Sequence, residues 1–303
     1  MGNQPAINRT ATAFAMAAAL SSVIASAQIA PADLSSSAPS LSSTNASSVV
    51  LSISPSYVPY QPLLQNGETL NYALSVNGLS VGRCVMTASG PRTIGADTPV
   101  FDVKTQIRTS RMANSVNAKL RADIASQIDG VSGFSRLYTL DATETKRRKK
   151  RRIEHRIEQQ ATHYVFLDGV TDTDNKPRLG SKIVTGRVGQ VSAGLLDPLS
   201  AMYYLRSISF DGIDSITLPV ASDNNVWFVR LTVVERSKVM YRGVSRPATI
   251  VEVKTYCEGP IARKGRLRIT LDDETGVALV FEMDVPSGRG RAVLTETHSS
   301  PLN

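Results

Sequence analysis

Residues 70–78 read Leu70-Asn71-Tyr72-Ala73-Leu74-Ser75-Val76-Asn77-Gly78, and the rhythm of this run decides the fold. Leu70, Tyr72, Leu74 and Val76 recur with a period of two, so they share one face of an extended segment, while Asn71, Ala73, Ser75 and Asn77 share the other. Asn77-Gly78 then marks a hairpin turn, because both residues tolerate positive φ. A return strand is predicted from Val81 to Ala88.

The same alternation continues along the chain. Phe101, Val103, Thr105 and Ile107 oppose Asp102, Lys104, Gln106 and Arg108; Leu120, Ala122, Ile124 and Ile128 oppose Arg121, Asp123, Gln127 and Asp129. Both segments read as half-buried strands. Further strands are predicted at Phe134 to Asp141, Thr145 to Gln159, His163 to Leu167, Ser215 to Val220, Val226 to Glu235, Thr249 to Cys257, Gly265 to Leu271, Ala278 to Val285 and Arg291 to Glu296. A flat antiparallel sheet of about a dozen strands would leave unpaired edges, so it should curl into a large open or closed barrel. The fold class is therefore mainly β, with one or two short helices packed on or in the sheet. Trp227, Val229, Leu231 and Val233 lie opposite Val226, Phe228 and Val234, which predicts a strand covered on both faces.

One stretch breaks the rhythm. Asp197-Pro198-Leu199-Ser200-Ala201-Met202-Tyr203-Tyr204-Leu205-Arg206 places Leu199, Met202, Tyr203 and Arg206 at i, i+3, i+4 and i+7, a helical stripe. Asp197 is a good N-cap, and Pro198 fits the first helical position, where its missing N–H is not needed. The helix either plugs or covers the barrel or packs outside it as a plain crossover. A second, weaker helical signal lies at Met112 to Val116.

The N-terminal region carries no strand pattern. Arg9 precedes a small-residue apolar run, Ala11 to Ala27, ending in Ala25-Ser26-Ala27, which is the pattern of a secretory signal with its cleavage site. Residues 1–27 are read as that signal peptide; the run is shorter than the roughly 20 strongly apolar residues of a membrane span. Residues 28–60 are dominated by Ser, Ala and Pro with Asp33 as their sole charge, and read as a flexible linker. A single antiparallel domain over 61–298 and a tail at 299–303 complete the chain. No later stretch is apolar enough to span a bilayer, so the exported product is expected to be soluble and periplasmic. Export also permits a disulfide between Cys84 and Cys257, which would add roughly 4 to 5 kcal/mol in a chain-entropy model. Two buried free thiols are the alternative.

Lys146-Arg147-Arg148-Lys149-Lys150-Arg151-Arg152 supplies seven consecutive cations. Such a run repels itself unless anions relieve it. Removal of the leader, with its one Arg9, lowers the formal charge from +8 to +7, all of it accounted for by this tract. The basic character is therefore local. In an envelope the tract would meet anionic lipid, lipopolysaccharide phosphates or acidic glycans; otherwise it is a solvated ribbon whose charge deters edge pairing. Export argues against a nucleic-acid partner.

Gly67-Glu68-Thr69-Leu70-Asn71-Tyr72, then Asn77-Gly78-Leu79-Ser80-Val81-Gly82, and the helical decapeptide at 197–206 together resemble a bacterial family of exported proteins catalogued as domain of unknown function 3108. The likeness runs from about Gly67 to Thr297. The chain departs from the family at Val76, where an aromatic residue is usual, at Ala73, where an acid or polar residue is usual, and in its basic tract. The resemblance implies a sheet-rich cell-envelope fold and brings no established activity or catalytic residues.

No G-x-S-x-G elbow, H-E-x-x-H, P-loop or G-x-G-x-x-G motif is present. His155, His163 and His298 are scattered and the two cysteines isolated, so neither a metal site nor a cofactor is expected. Asp272-Asp273-Glu274 before Thr275-Gly276 reads as a turn with solvated acids. The leading functional reading is a non-enzymatic envelope protein binding a hydrophobic or amphipathic molecule in a barrel-like cavity. The alternatives are an envelope assembly factor that docks to anionic lipid, a glycan or a protein partner through residues 146–152, and an uncharacterised hydrolase.

Overall fold

The computed structural model describes residues 64, 66–94, 98–110, 113, 119–146, 149–159, 163–172, 182–187, 195–222, 225–256, 266–285 and 288–299. The expected leader, linker, most of the tail, Cys257 and all but Ala113 of the second helical signal lie outside them. The described residues form fourteen strands: β1 (Glu68–Val76), β2 (Leu79–Ile94), β3 (Thr98–Thr109), β4 (Lys119–Asp129), β5 (Ser135–Lys146), β6 (Lys149–Gln159), β7 (His163–Asp172) and β8 (Lys182–Arg187) precede a helix, α1 (Pro198–Leu205). After it come β9 (Ser215–Ser222), β10 (Asn225–Tyr241), β11 (Val244–Tyr256), β12 (Leu267–Asp272), β13 (Ala278–Val285) and β14 (Gly288–His298).

All fourteen belong to one antiparallel sheet in the order β8-β7-β6-β5-β4-β3-β2-β1-β14-β13-β12-β11-β10-β9. Each strand pairs with its neighbour in sequence except across α1, and the first strand pairs with the last, Tyr72 opposite Leu294. The sheet is curved but not closed, with β8 and β9 as its edges. The alternation seen in β1 is the reason: Leu70, Tyr72, Leu74 and Val76 are buried and Ala73 is exposed. The same inner face continues through Cys84 and Met86, Val103 and Ile107, Ala122 and Ile124, Val229 and Leu231, Ile269 and Leu271, Phe281 and Met283, and Ala292 and Leu294, one continuous core. Asn77 (φ 50°) and Gly78 (φ 80°) form the first hairpin turn as the dipeptide predicts.

The structure corrects several boundaries. The segment expected as one strand from Thr145 to Gln159 is divided: β5 ends at Lys146 and β6 begins at Lys149, with Ala142 opposite Ile153 and Tyr138 opposite Ile157. The reversal thus sets Ile153 and Ile157 in register with two buried positions of β5. β10 and β11 run on past Glu235 and start before Thr249, meeting at the Arg242-Gly243 turn. β10 is not covered on both faces, because Phe228 is half-buried and Val234 exposed. β9 is the strand buried continuously, from Leu218 to Ser222. Its outer edge is covered by Leu196, whose N–H donates to Pro219 O (3.1 Å) and whose carbonyl accepts from Ala221 N (2.7 Å).

Candidate functional site

Register divides the bowl into two ends. The β1–β2, β5–β6, β9–β10 and β13–β14 reversals lie at the Asn77 end; the β4–β5, β10–β11 and β12–β13 reversals lie at the Glu68 end. The helix stops the Glu68 end. Its N-cap, Asp197, accepts from Leu199 N (2.6 Å) and Ser200 N (2.9 Å), and its own N–H donates to Ser200 Oγ (2.7 Å), a reciprocal box built with serine. The same carboxylate accepts from Ser126 Oγ of β4 at 2.5 Å and is bonded by Ser135 of β5. Burial pushes Asp197 above the usual carboxylate range, against these bonds, which favour its charged form.

The other end of the helix is tied to a different strand. Arg206 donates from Nη1 to Glu68 Oε2 (2.6 Å) and from Nη2 to Glu68 Oε1 (2.9 Å), and its guanidinium lies 5.4 Å from the centre of the Tyr203 ring. A cation at a helix C-terminus also meets the negative end of the helix dipole. All eight residues of α1 are buried. The expected stripe of Leu199, Met202 and Tyr203 is therefore only part of its contact; Ala201, Tyr204 and Leu205 are enclosed as well, Tyr204 stacking on Phe134 at 6.2 Å. A helix apolar all round belongs inside a core, and here it occupies the concavity.

An opening lies above the helix C-terminus. A cavity of about 460 Å³ has the buried Arg206–Glu68 pair at its inner end and Val277, Leu279 and Leu294 along its wall. The β10–β11 hairpin, an arm below, closes its far side with Tyr241, Arg242, Val244 and Arg246. A register shift at Val233/Glu235 marks a β-bulge, which bends a strand and increases its twist. Beyond it, Tyr241 Oη comes within 3.5 Å of Thr297 Oγ1 on β14, and Arg246 Nη1 donates to Asp272 Oδ2 at 2.7 Å. Glu274 is 3.6 Å from the same guanidinium. Arginines and carboxylates are thus paired around an apolar wall, and Arg242 has no ion-pair partner among the described residues.

Asp272 corrects the reading of its neighbourhood as solvated acids: Asp273 and Glu274 are exposed, but Asp272 is buried against Arg246. The basic run lies at the opposite, Asn77 end, where Lys146 pairs in register with Lys149, Thr145 with Lys150, Glu144 with Arg151 and Thr143 with Arg152; Arg147 and Arg148 fall outside the described residues. Cys84 is a buried free thiol that burial pushes up to about 12. The sequence did not single out Glu68, Tyr241 or Arg246. The alternation of Val239 and Tyr241 before Arg242-Gly243 was the available signal for the arm.

A family model described as protein of unknown function DUF3108 matches residues 71–295. Comparison with curated proteins finds no match. Among solved structures, the chain is similar to a β-barrel-like protein of domain of unknown function DUF1849 from Brucella abortus, at 12% identity and a TM-score of 0.49, over 79% of this chain and 100% of that one. It is also similar to a Bacteroides fragilis protein described as exported and as having a YmcC-like fold, at 9% identity and a TM-score of 0.32, over 78% and 97% of the two chains.

Proposed function

The chain belongs to the DUF3108 family of proteins of unknown function, and from that premise we propose that it is exported to the periplasm and binds an amphipathic envelope molecule, without catalysing a reaction, in the mouth at the Glu68 end of the sheet. The observation that carries this reading is the cavity above Arg206. Its volume of about 460 Å³ lies within the common range for small-molecule sites, and it joins an apolar wall to a few fixed polar groups. Val277, Leu279 and Leu294 suit an acyl or other apolar portion, while Arg242 at the rim suits an anionic headgroup. The concavity itself is taken by α1, so the mouth and not the interior is offered to a ligand. The leader pattern at 1–27 supports export, and no described helix is long and apolar enough to cross a membrane.

Native mass spectrometry of protein purified from the envelope fraction tests this. A co-purifying amphiphile is expected, and Thr297→Trp, an exposed rim position, should displace it without unfolding the protein. Wild-type protein that carries no adduct and gains none from an envelope lipid extract overturns the reading.

A second reading rests on the basic hairpin. Like charges facing across a β-ladder are destabilising, so the Lys146 to Lys149 reversal invites a polyanion such as lipopolysaccharide phosphate or an acidic glycan, as in an envelope assembly factor. Replacement of Arg147, Arg148, Lys149 and Lys150 by Ser should then abolish sedimentation with those polymers; unchanged sedimentation removes it.

A further inference from the structure

The β10–β11 arm reaches past the rest of the sheet. β9 accompanies β10 only as far as Thr232, and β12 accompanies β11 only from Ala248. Pro247 O still accepts from Asp273 N (3.1 Å), just past β12, so the pairs Val239 with Arg246, Met240 with Ser245 and Tyr241 with Val244 have no strand alongside. Three extended pairs project about 10 Å. One face of this ribbon is committed: Val239 and Tyr241 pack against the core, and Arg246 is held by Asp272. The other is free. Met240 is 70% exposed, and Lys238, Ser245 and Pro247 are exposed beside it; at the tip Val244, opposite Tyr241 on the first face, is still 57% exposed.

Charge gives the tip a direction. From Arg236 to Arg246 the sequence RSKVMYRGVSR holds four cations and no carboxylate. Arg236 donates to the Phe210 carbonyl and Arg246 is ion-paired, whereas Lys238 and Arg242 have no ion-pair partner among the described residues. Two uncompensated cations therefore flank an exposed methionine, with an exposed valine across the turn. A protruding apolar side chain ringed by cations matches an anionic bilayer: the cations meet headgroups while the unbranched methionine enters the acyl boundary. A soluble acidic partner would satisfy the charges but leave Met240 and Val244 in water unless it also offered an apolar pocket. We propose that the tip of the β10–β11 arm is a docking surface for an anionic lipid bilayer, which would hold the mouth at the Glu68 end against the membrane.

The tip shares Arg242 and Val244 with the rim of the cavity, whereas Lys238 and Met240 do not line it, so variants at those two positions separate bilayer docking from what fills the mouth. Purified full chain should sediment with vesicles of phosphatidylglycerol and phosphatidylcholine, and not with phosphatidylcholine alone, and salt should weaken the association. The double variant Lys238→Gln with Met240→Ser should lower the partition about tenfold while leaving the circular dichroism spectrum and any mouth-bound adduct unchanged. The chain's one tryptophan, Trp227, is buried, so Met240→Trp supplies a direct report: its emission should shift to the blue on phosphatidylglycerol vesicles. Equal binding to both vesicle types, undiminished binding by the double variant, absence of that blue shift, or a loss confined to Arg151→Ser with Arg152→Ser at the opposite end would each overturn the proposal.

Discussion

Arg206, which caps the end of α1, and Glu68, which begins β1, form a two-pronged ion pair with only 7% and 3% of their side chains exposed. It joins residues 138 positions apart and fixes the helix across the mouth. Two charges taken out of water offset their desolvation only while both are present. Glu68→Ala should therefore destabilise the protein by about 3–5 kcal/mol, because it strands the Arg206 guanidinium. Glu68→Leu combined with Arg206→Met should recover most of that loss. Urea-unfolding midpoints of the two variants check this; equal losses for single and double variants would show that the helix packs independently of the pair.

The opposite end of α1 depends on pH. Burial raises the folded-state pKa of Asp197, so the folded protein holds this proton more tightly than the unfolded chain does. Its contribution is fully present below the ordinary carboxylate value near 3.8 and declines as pH rises through the raised folded value. Asp197→Asn keeps a capping oxygen but cannot ionise. The stability difference, wild type minus Asp197→Asn, should fall as pH increases from below 3.8. A difference that rises over that window would mean that the bonds from Ser126, Ser135, Leu199 and Ser200 outweigh burial.

These two anchors also show what was legible in the sequence. Asp197-Pro198 announces a helix start because capping is local chemistry, and the alternation of Leu70 to Val76 announces β1 because one face of that strand meets core and the other water. Arg206 is legible as the last member of the helical stripe and Glu68 as part of the Gly67 to Tyr72 stretch, but nothing in the sequence joins the two. Their pairing depends on β1 meeting β14 and on the helix crossing between strands far apart in the chain. The arm was truncated at Glu235 because the bulge at Val234 interrupts the period of two on which the reading relied. The β5–β6 reversal was missed for a related reason: it occurs among like cations, with no Gly, Asn or Pro to mark a turn.

Gly276 turns β12 into β13 with φ +65° and lies against the helix terminus: a Cβ placed there would sit 2.4 Å from the Arg206 carbonyl oxygen and 2.8 Å from its Cα. Both are backbone atoms, so no side chain can swing aside. Gly276→Ala should cost about 1–3 kcal/mol from backbone strain alone, and more if the turn is displaced. The displacement would carry Asp272 with it, because Gly276 N donates to Asp272 O at 2.7 Å. Thermal unfolding gives the first quantity, and loss of the mouth-bound adduct gives the second. A neutral substitution would mean that the β12–β13 turn does not bear on the helix.

Cys84 faces the core between Tyr72 of β1 and Ile107 of β3 in register. With its thiol pushed up to about 12 by burial, the reactive thiolate is about one molecule in 10⁴ at pH 8, before access is considered. In a Cys257→Ser variant, which leaves Cys84 as the sole cysteine, a chromogenic disulfide reagent should therefore find no fast-reacting thiol in the folded protein. In urea, where the thiol regains its ordinary pKa and exposure, one equivalent should react promptly. Native reaction that tracks the global unfolding rate would place β2 in the most stable part of the sheet. Prompt reaction without denaturant would show that β1 and β3 separate from β2 locally, which the continuous core beneath them should prevent.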